Sequence, residues 1–240
     1  MIYILGKGGH AKTVSESLGW QSHEMLPLNE EHKIVRSTML TKTQLQEIIN
    51  GEAEAPPPGD YLINGIGIGI DIGVPRDRIA LYEKYQDNPW IDVVDGSARW
   101  GNSPKLVPEY GGAGIYIGPF AFIGADVTIG RNVMVNHGAH VSHDCEIGDH
   151  TVISIGAQIC GGVKLGRACA IGAGAIIVQN VELKDETRVP AGTVVVGQDD
   201  FRKPVSVAPG GRAYAFKDGE GFIAFEDGDR HPRLSPDPNP

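Results

Sequence analysis

The sequence is poor in aromatic residues, cysteines and long apolar runs, and the last two shortages limit the class of protein that it can be. Aromatic residues make up 7% of the 240 positions and there are three cysteines. Three is an odd number and none of the spacings is CxxC, which fits a reduced, cytoplasmic protein. No run of 18 apolar residues occurs, which excludes a membrane-spanning helix.

Positive charge is also scarce. Lysine and arginine number 21 against 30 acidic residues, which gives a net charge of −9 and disfavours a nucleic-acid partner. The opening string MIYILGKGG is too short and lacks the basic lead of a signal peptide. Glycine, by contrast, is abundant at 33 residues, without the G-X-Y period of collagen.

A six-residue repeat runs through the middle of the chain from Ile117 to Val195. Aliphatic residues recur at every sixth position, and a small residue follows most of them four positions later. The aliphatic anchors are Ile117, Ile123, Ile129, Val135, Val141, Ile147, Ile153, Ile159, Leu165, Ile171, Ile177, Leu183, Val189 and Val195. The pattern predicts a parallel β-helix of triangular section, with three hexads in each 18-residue coil and columns such as Val141, Ile159, Ile177 and Val195.

The first hundred residues predict a separate α/β unit. An apolar strand at residues 1–5 leads through a glycine turn, GKGGHAK, into a helix at residues 13–20. A strand, a glycine turn and a helix together favour binding of an anion or a nucleotide at the helix start. Residues 61–64 and 90–94 are predicted as further strands, and residues 75–85 as a helix. The chain is therefore predicted to divide into the α/β unit at residues 1–94, the β-helix at residues 95–198 and a polar tail at residues 199–240. Residues 222–225 of the tail could form one strand.

Four histidines lie close together in the repeat, and one of them occupies a position suited to catalysis. His143 comes two residues after an inward anchor, so its side chain can face outward, and one coil away it has Ala125 and Gly161 as neighbours. Asp144 follows and can orient the imidazole. A neutral histidine there could take the proton of an attacking amine or hydroxyl, while the Gly161 N–H stabilises an oxyanion.

Other interpretations of these residues stay open. His137, His140 and His143 could bind zinc, as in the β-helical carbonic anhydrases, or could be surface histidines together with His150. Cys145, Cys160 and Cys169 are predicted as small buried residues, with a catalytic thiol as the alternative. A non-catalytic trimeric scaffold is a third possible function, since a fold does not determine an activity.

The motifs together resemble a known family, the sugar O-acyltransferases of the sialic acid O-acetyltransferase type, which includes N-acetyltransferases of nucleotide-linked 4-amino sugars. The resemblance covers residues 1–197. It depends on GKGGHAK at 6–12, on YLINGIG at 61–67 with Arg78 beyond, and on NHGAHVSHDC at 136–145 with IGD at 147–149.

The resemblance implies a Rossmann-like unit followed by a left-handed β-helix, assembled as a homotrimer with active sites between subunits. It implies acetyl-CoA as co-substrate, no metal, and a nucleotide-linked sugar as acceptor, acetylated on a 4-amino group or, alternatively, on a hydroxyl. His143 would be the general base, oriented by Asp144. The implied CoA contacts are Gly161, Gly162, Val152, Ala173 and Ala191. The implied acceptor contacts are Gly6, Gly8, Gly9, His10, Lys12, Asn64, Gly65 and Arg78.

Three positions depart from the family pattern. Val152 stands where many relatives have a second histidine, nine residues after the catalytic one. The usual Gly-x-Pro-Ala-Lys ending of the β-helix is replaced by GQDDFRKP at 197–204, and the usual His-Pro-Ser-Ala entry by DGSA at 95–98.

Overall fold

The computed structural model describes residues 2–5, 9–21, 37–39, 61–65, 76–102, 105–106, 112–197, 200–202, 213–217 and 221–225. Two of the predicted acceptor contacts, Gly6 and Gly8, lie outside the described residues. No described helix is long and apolar enough to cross a membrane.

The N-terminal unit contains a parallel three-stranded sheet. Its elements in chain order are β1 (Ile2–Leu5), α1 (Gly9–Gln21), β2 (Ser37–Met39), β3 (Tyr61–Asn64) and α2 (Arg76–Lys84). The strand order is β2-β1-β3, and Ile2 lies opposite Ser37 on one side and Tyr61 on the other. These elements confirm the strands and helices predicted at residues 1–5, 13–20, 61–64 and 75–85. A complete Rossmann-like unit would include residues outside the described ranges and stays a prediction.

A parallel β-helix follows, built from strands that are almost all two residues long. They are β4 (Val93–Val94), β5 (Arg99–Trp100), β6 (Lys105–Leu106), β7 (Tyr116–Ile117), β8 (Phe122–Ile123), β9 (Thr128–Ile129), β10 (Met134–Val135), β11 (His140–Val141), β12 (Glu146–Ile147), β13 (Val152–Ile153), β14 (Gln158–Ile159), β15 (Lys164–Leu165), β16 (Ala170–Ile171), β17 (Ile176–Ile177), β18 (Glu182–Leu183), β19 (Arg188–Val189) and β20 (Val194–Gly197).

The strands stack into three faces. Face 1 contains β4, β7, β10, β13, β16 and β19; face 2 contains β5, β8, β11, β14, β17 and β20; face 3 contains β6, β9, β12, β15 and β18. From β7 onward, each strand pairs in parallel with the strand 18 residues later, so that Val141 lies beside Ile159 and Ile159 beside Ile177. The predicted coil length and the predicted column are therefore confirmed.

The aliphatic anchors form the core. All fourteen are at most 4% exposed, and they belong to one continuous apolar cluster. The small residues four positions after the anchors are buried too, except Thr187, which is partly exposed. Burial of each Ile, Val or Leu side chain contributes about 1.5–3 kcal/mol, so the repeat is itself the main source of stability.

Each corner turns through a left-handed residue three positions after the anchor. Eight of these residues are not glycine, with φ between 52° and 63°: Phe120, Asp126, Asn132, Asp144, His150, Ala168, Asn180 and Glu186. The glycines that directly follow anchors serve a different purpose. A Cβ on Gly124 would lie 2.6 Å from the backbone nitrogen of His143 in the next coil, so stacked backbones leave no room for a side chain there.

The β-helix begins earlier than the repeat suggests. Val93 and Val94, predicted as the end of a strand in the N-terminal unit, pair instead with Tyr116 and Ile117 on face 1. Toward the N-terminal sheet, Trp90 forms a single parallel bridge to Leu62, and the Ile91 N–H donates to the Leu62 carbonyl at 2.9 Å. Ile91 and Val93 also pack in one apolar cluster with Ile4 and Ile63. The chain thus passes directly from the N-terminal sheet into the first coil.

Face 1 is covered by the N-terminal unit. The outward side chains of Tyr116, Met134 and Val152 pack in one buried cluster with Ile4 and Ile63, and α1 adds Ala11 and Val14. This cluster fixes the start of α1 beside the β-helix.

The tail begins with a strand that closes face 2. Residues Asp200–Arg202 form β21, which runs antiparallel to β20. Further on, β22 (Ala213–Lys217) and β23 (Gly221–Phe225) form an antiparallel hairpin, which confirms the strand predicted at 222–225.

Candidate active site

His143 and Asp144 form the turn between face 2 and face 3, directly after β11. His143 Nδ1 lies 2.7 Å from Asp144 Oδ2, and the two side chains are 62% and 66% exposed. Asp144 adopts the left-handed conformation, with φ of 58°, and its N–H donates to the carbonyl of Ala125 one coil earlier at 2.9 Å. Aspartate tolerates this conformation better than most residues, so the turn itself presents the carboxylate to the imidazole.

The pairing determines which imidazole nitrogen can act as a base. An ionised carboxylate only accepts hydrogen bonds, so the neutral His143 ring carries its proton on Nδ1 and donates it to Asp144. Nε2 then has a free lone pair, and Asp144 would stabilise the imidazolium that forms when Nε2 takes a proton.

The ring of His143 lies over Gly161 in the next coil. A Cβ on Gly161 would lie 2.7 Å from both Cε1 and Nε2 of His143, so only glycine leaves room for the ring in this position. Hydrogen bonds hold this corner to the coils before and after it: the Gly162 N–H donates to His143 O at 2.9 Å, and the Asn180 N–H donates to Gly161 O at 3.0 Å. Within the described residues the Gly161 N–H itself donates to no acceptor.

Gly162 has a structural reason to be glycine. Its φ is +69°, and a Cβ there would collide with Asn180 Oδ1. Its N–H is occupied by His143 O, so this N–H is not available to a ligand.

The two buried cysteine thiols, Cys145 below this corner and Cys169 between face 3 and face 1, are not poised as nucleophiles. Cys145 Sγ donates to Cys160 O at 3.1 Å, and burial raises the pKa of Cys145 to about 11. Burial likewise raises the pKa of Cys169 to about 11. Both thiols are therefore protonated near neutral pH, in accordance with a packing role.

The remaining predicted CoA contacts do not lie at this corner. Ala173 and Ala191 are exposed at the turn between face 1 and face 2, two and three coils after the turn that contains His137. Val152 is 0% exposed and packs under the N-terminal unit on face 1. A single chain therefore brings His143, Asp144, Gly161 and Gly162 together, and holds the alanines at the other edge of face 2.

Of the predicted acceptor contacts, Gly9, His10 and Lys12 form the start of α1. Lys12 is exposed, while His10 packs edge-to-face on Tyr116 with ring centroids 4.7 Å apart. Burial, followed by the charges of Arg78 and His137, lowers the pKa of His10 to about 3. His10 is thus a neutral ring near pH 7.

Asn64, Gly65 and Arg78 are buried rather than on an open surface: the Gly65 N–H donates to Leu5 O at 3.1 Å, and Asn64 and Arg78 belong to one hydrogen-bond network. Arg78 is 1% exposed, and its Nη2 donates to Asn132 Oδ1 at 3.2 Å and to Asn132 O at 3.3 Å. Asn64 Nδ2 donates to the Arg78 carbonyl at 3.1 Å, and burial lowers the pKa of Arg78 to about 9. The network joins α2 and β3 to a corner of the β-helix.

Asn132 was not singled out in the sequence, although it occupies the left-handed corner position where an asparagine is a usual choice. Its Nδ2 contacts His150 Nδ1 at 3.0 Å. Burial, followed by the positive charge of Arg167, lowers the pKa of His150 to about 4. His150 is therefore a neutral, buried packing residue behind the Arg78 network, not the surface histidine that the sequence left open.

The clustered histidines do not converge. The ring of His140 stacks on Phe122, with centroids 4.5 Å apart, and the ring of His137 approaches Gly118, while His143 pairs with Asp144. Among the described residues, no three His, Cys, Asp or Glu side chains are grouped to hold a metal ion.

Comparison with known proteins gives similarity in structure but not in sequence. No family model matches the chain, and no curated protein matches it at a significant level. Among solved structures, the acetyltransferase domain of PglB from Neisseria gonorrhoeae FA1090 superposes with a TM-score of 0.61 at 22% identity, over 82% of this chain and 91% of that one. The same domain has been solved in complex with acetyl coenzyme A.

Two further structures share the architecture. PerB from Caulobacter crescentus, in complex with CoA and GDP-perosamine, superposes with a TM-score of 0.51 at 22% identity, over 82% of this chain and 89% of that one. WeeI from Acinetobacter baumannii AYE gives a TM-score of 0.54 at 20% identity, over 84% of this chain and 98% of that one. The chain thus has the fold of a hexapeptide-repeat β-helix protein with an N-terminal α/β unit. At the level of the fold, the resemblance to the sugar acetyltransferases is confirmed.

Proposed function

We propose that the protein transfers an acetyl group from acetyl-CoA to a sugar, and that the acceptor is the 4-amino group of a nucleotide-linked amino-deoxy sugar. The observation that carries the proposal is the His143 ring, held by Asp144 through Nδ1 and lying over Gly161 with Nε2 free. The structural neighbours support it, because one is an acetyltransferase domain solved with acetyl-CoA and another binds CoA and GDP-perosamine. A sugar hydroxyl as acceptor, as in sialic acid O-acetylation, would use the same residues.

The reaction needs one base and one oxyanion donor. The acceptor nitrogen attacks the thioester carbonyl carbon, and His143 Nε2 takes the proton that the nitrogen loses. The carbonyl oxygen becomes an oxyanion, to which the uncommitted Gly161 N–H can donate. As the tetrahedral intermediate collapses, the C–S bond breaks and the CoA sulfur leaves with the proton carried by His143. No acyl-enzyme forms, which agrees with the protonated state of Cys145 and Cys169.

We place the donor between two copies of the chain. Ala173 and Ala191 offer small, exposed side chains along which a pantetheine arm could lie, and Gly162 offers a bare Cα surface beside His143. The acceptor would occupy the glycine turn and the start of α1, with Gly9, His10 and Lys12, and with Gly6 and Gly8 from the turn itself. Asn64, Gly65 and Arg78 would support that edge from below. The buried Val152 is not among the proposed contacts.

Binding of acetyl-CoA and an acetyl-transfer assay test the proposed reaction directly. A ligand that binds only the folded protein raises the melting temperature, and at 100 times its Kd the gain is about 2.7 kcal/mol, or about 5–10 °C for a chain of this size. We expect this shift with acetyl-CoA, and acetyl transfer, followed by mass spectrometry, to GDP- or UDP-linked 4-amino sugars but not to the matched 4-hydroxy sugars. Transfer only to hydroxyls would favour O-acetylation, and the absence of both shift and transfer would favour a scaffold.

We further propose that three copies associate through face 2. Face 1 is covered by the N-terminal unit, and the outward residues of face 3 include the exposed pair Lys164 and Glu146, 2.8 Å apart. Face 2 instead presents half-exposed apolar side chains such as Phe122 and Ile176, flanked at the corner by Phe120 and Ile155, which are 77% and 53% exposed. Threefold packing of face 2 would bring the His143 corner of one copy beside the alanine corner of the next.

The trimer can be tested by light scattering, which should give three times the chain mass of 25.6 kDa. A charge at the centre of face 2, in Ile176→Lys, should produce monomers that keep their circular dichroism spectrum but lose activity. Thr128→Lys, at the corresponding outward position on face 3, is the matched control and should stay trimeric and active. A wild-type monomer with full activity would refute this assembly.

A further inference from the structure

Four buried polar atoms without hydrogen-bond partners lie together where α1 meets the β-helix. They are both ring nitrogens of His10, the hydroxyl of Tyr116 and Nε2 of His137. The His10 and Tyr116 rings are in contact, and a Cβ on Gly118 would lie 3.1 Å from Tyr116 Cε1 and 3.1 Å from His137 Cδ2. The three side chains therefore form one group, which we call the junction cluster.

The polar groups next to the junction cluster are already committed. Ser17, whose side chain acts on the Tyr116 hydroxyl, donates its own proton to Asp95 Oδ2 at 2.7 Å, so that proton is not available to Tyr116. Ser97 donates to Asp95 Oδ1 through both its hydroxyl, at 2.6 Å, and its N–H, at 2.9 Å. Burial raises the pKa of Asp95, but these donors outweigh it and the net shift is downward, so the carboxylate is ionised and already accepts three hydrogen bonds.

Unpartnered buried polar atoms are rare in folded proteins because each one loses its bonds to water without replacement. Elsewhere in the described residues such an atom is found, for example, at the hydroxyl of Tyr85. A concentration of four in one place indicates a partner that arrives from outside the chain. Their location fits a ligand, since His10 is the second residue of α1 and the carboxyl ends of parallel strands, here β1 and β3, are where open α/β sheets bind ligands.

The chemistry of the cluster selects uncharged polar groups. His10 is neutral near pH 7, and burial raises the pKa of Tyr116 to about 12, so both can donate and accept hydrogen bonds. The charged groups that act on them are Arg78 beside His10, and Asp95 and Glu16 beside Tyr116. Paired donors and acceptors next to an ionised carboxylate suit hydroxyl groups, whereas a phosphate requires donors only.

We propose that His10, Tyr116 and His137 bind the hydroxyl groups of the sugar moiety of the acceptor and thereby determine which sugar is accepted. The proposal rests on the proposed function, because it takes the acceptor to be a nucleotide-linked sugar. Both imidazole rings keep part of their surface exposed, so rotation about their side-chain torsions brings their nitrogens to an incoming ligand. The diphosphate of the same molecule would stay at the glycine turn.

Tyr116→Phe tests the proposal because it removes a single oxygen atom that has no partner in the free protein. We expect an unchanged or higher melting temperature without ligand. Affinity for the nucleotide sugar, measured by calorimetry, should fall about 5-fold, the usual effect of one lost hydrogen bond. The Kd of acetyl-CoA and the inhibition constant of the free nucleoside diphosphate should not change. Tyr85→Phe is the matched control, since it removes another buried unpartnered hydroxyl outside the cluster, and it should leave all four quantities unchanged.

Three results would overturn the inference. A lower melting temperature with unchanged sugar affinity would mean that a buried water holds the hydroxyl. A weaker inhibition by the nucleoside diphosphate would mean that the cluster binds the phosphates instead. No change in any quantity would mean that the hydroxyl has no role. Sugar binding is measured without turnover, so the result is independent of whether His143 proves to be the base.

Discussion

Replacement of His143 by alanine is expected to lower kcat by about 10²–10⁴-fold, the usual contribution of a positioned general base. The reason is geometric: Nε2 is the only nitrogen of the Asp144-paired ring that can take a proton, and the ring lies over Gly161, so that a Cβ there would be 2.7 Å from Nε2. Steady-state kinetics with saturating acetyl-CoA and acceptor measure the loss. The acetyl-CoA melting shift should persist, because the imidazole acts on the acceptor proton rather than on donor affinity.

The fold provides a control for this substitution. Alanine is already present one coil earlier, at Ala125, in the same corner position, so His143→Ala should fold normally. Asp144→Asn should lower kcat less than His143→Ala, because an amide can still accept from Nδ1 but cannot stabilise an imidazolium. Asp126 has the same left-handed conformation one coil earlier, and Asp126→Asn should leave kcat unchanged. Activity near the wild-type value in His143→Ala would contradict the proposed mechanism.

The β-helix could be predicted from the sequence because its core obeys a strict local rule. An anchor such as Ile159 is buried because of its place in the period, whatever the rest of the chain does. The same rule gave the outward direction of His143 and its vertical neighbours Ala125 and Gly161, since a fixed 18-residue coil converts sequence distance into spatial contact. The acid that pairs with His143 is its neighbour in sequence, so this part of the candidate site could also be predicted from the sequence.

Contacts between the two units could not be predicted in this way. Arg78 was expected to contact the acceptor, yet it is enclosed by Asn132 of the β-helix, 54 positions away in the chain. Val152 is buried because the N-terminal unit covers face 1, and nothing in the hexad distinguishes a covered face from an open one. Val93 and Val94 have no hexad signature before them, so their pairing with β7 appears only when the coils are stacked.

Replacement of Gly161 by alanine is expected to reduce kcat strongly, about 10–100-fold, with little change in stability. The added methyl group would lie 2.7 Å from Cε1 and Nε2 of His143, so the ring must move off its place above the Gly161 amide. A displacement of about 1 Å at a reacting group can cost about 100-fold in rate. The backbone tolerates the change, because Gly161 is not in the left-handed region and Ala125 occupies the same corner position one coil earlier.

The two effects of Gly161→Ala separate a catalytic role for this glycine from a structural one. Thermal melting should stay within a few degrees of the wild type, since the methyl group meets the mobile end of an exposed side chain rather than backbone. Gly162→Ala is the contrasting variant: its φ of +69° and the contact with Asn180 should make it lose stability as well as rate. If Gly161→Ala kept wild-type turnover, the Gly161 amide and the ring above it would not form the reacting site. Loss of rate without loss of stability would place the chemistry between His143 Nε2 and the Gly161 N–H.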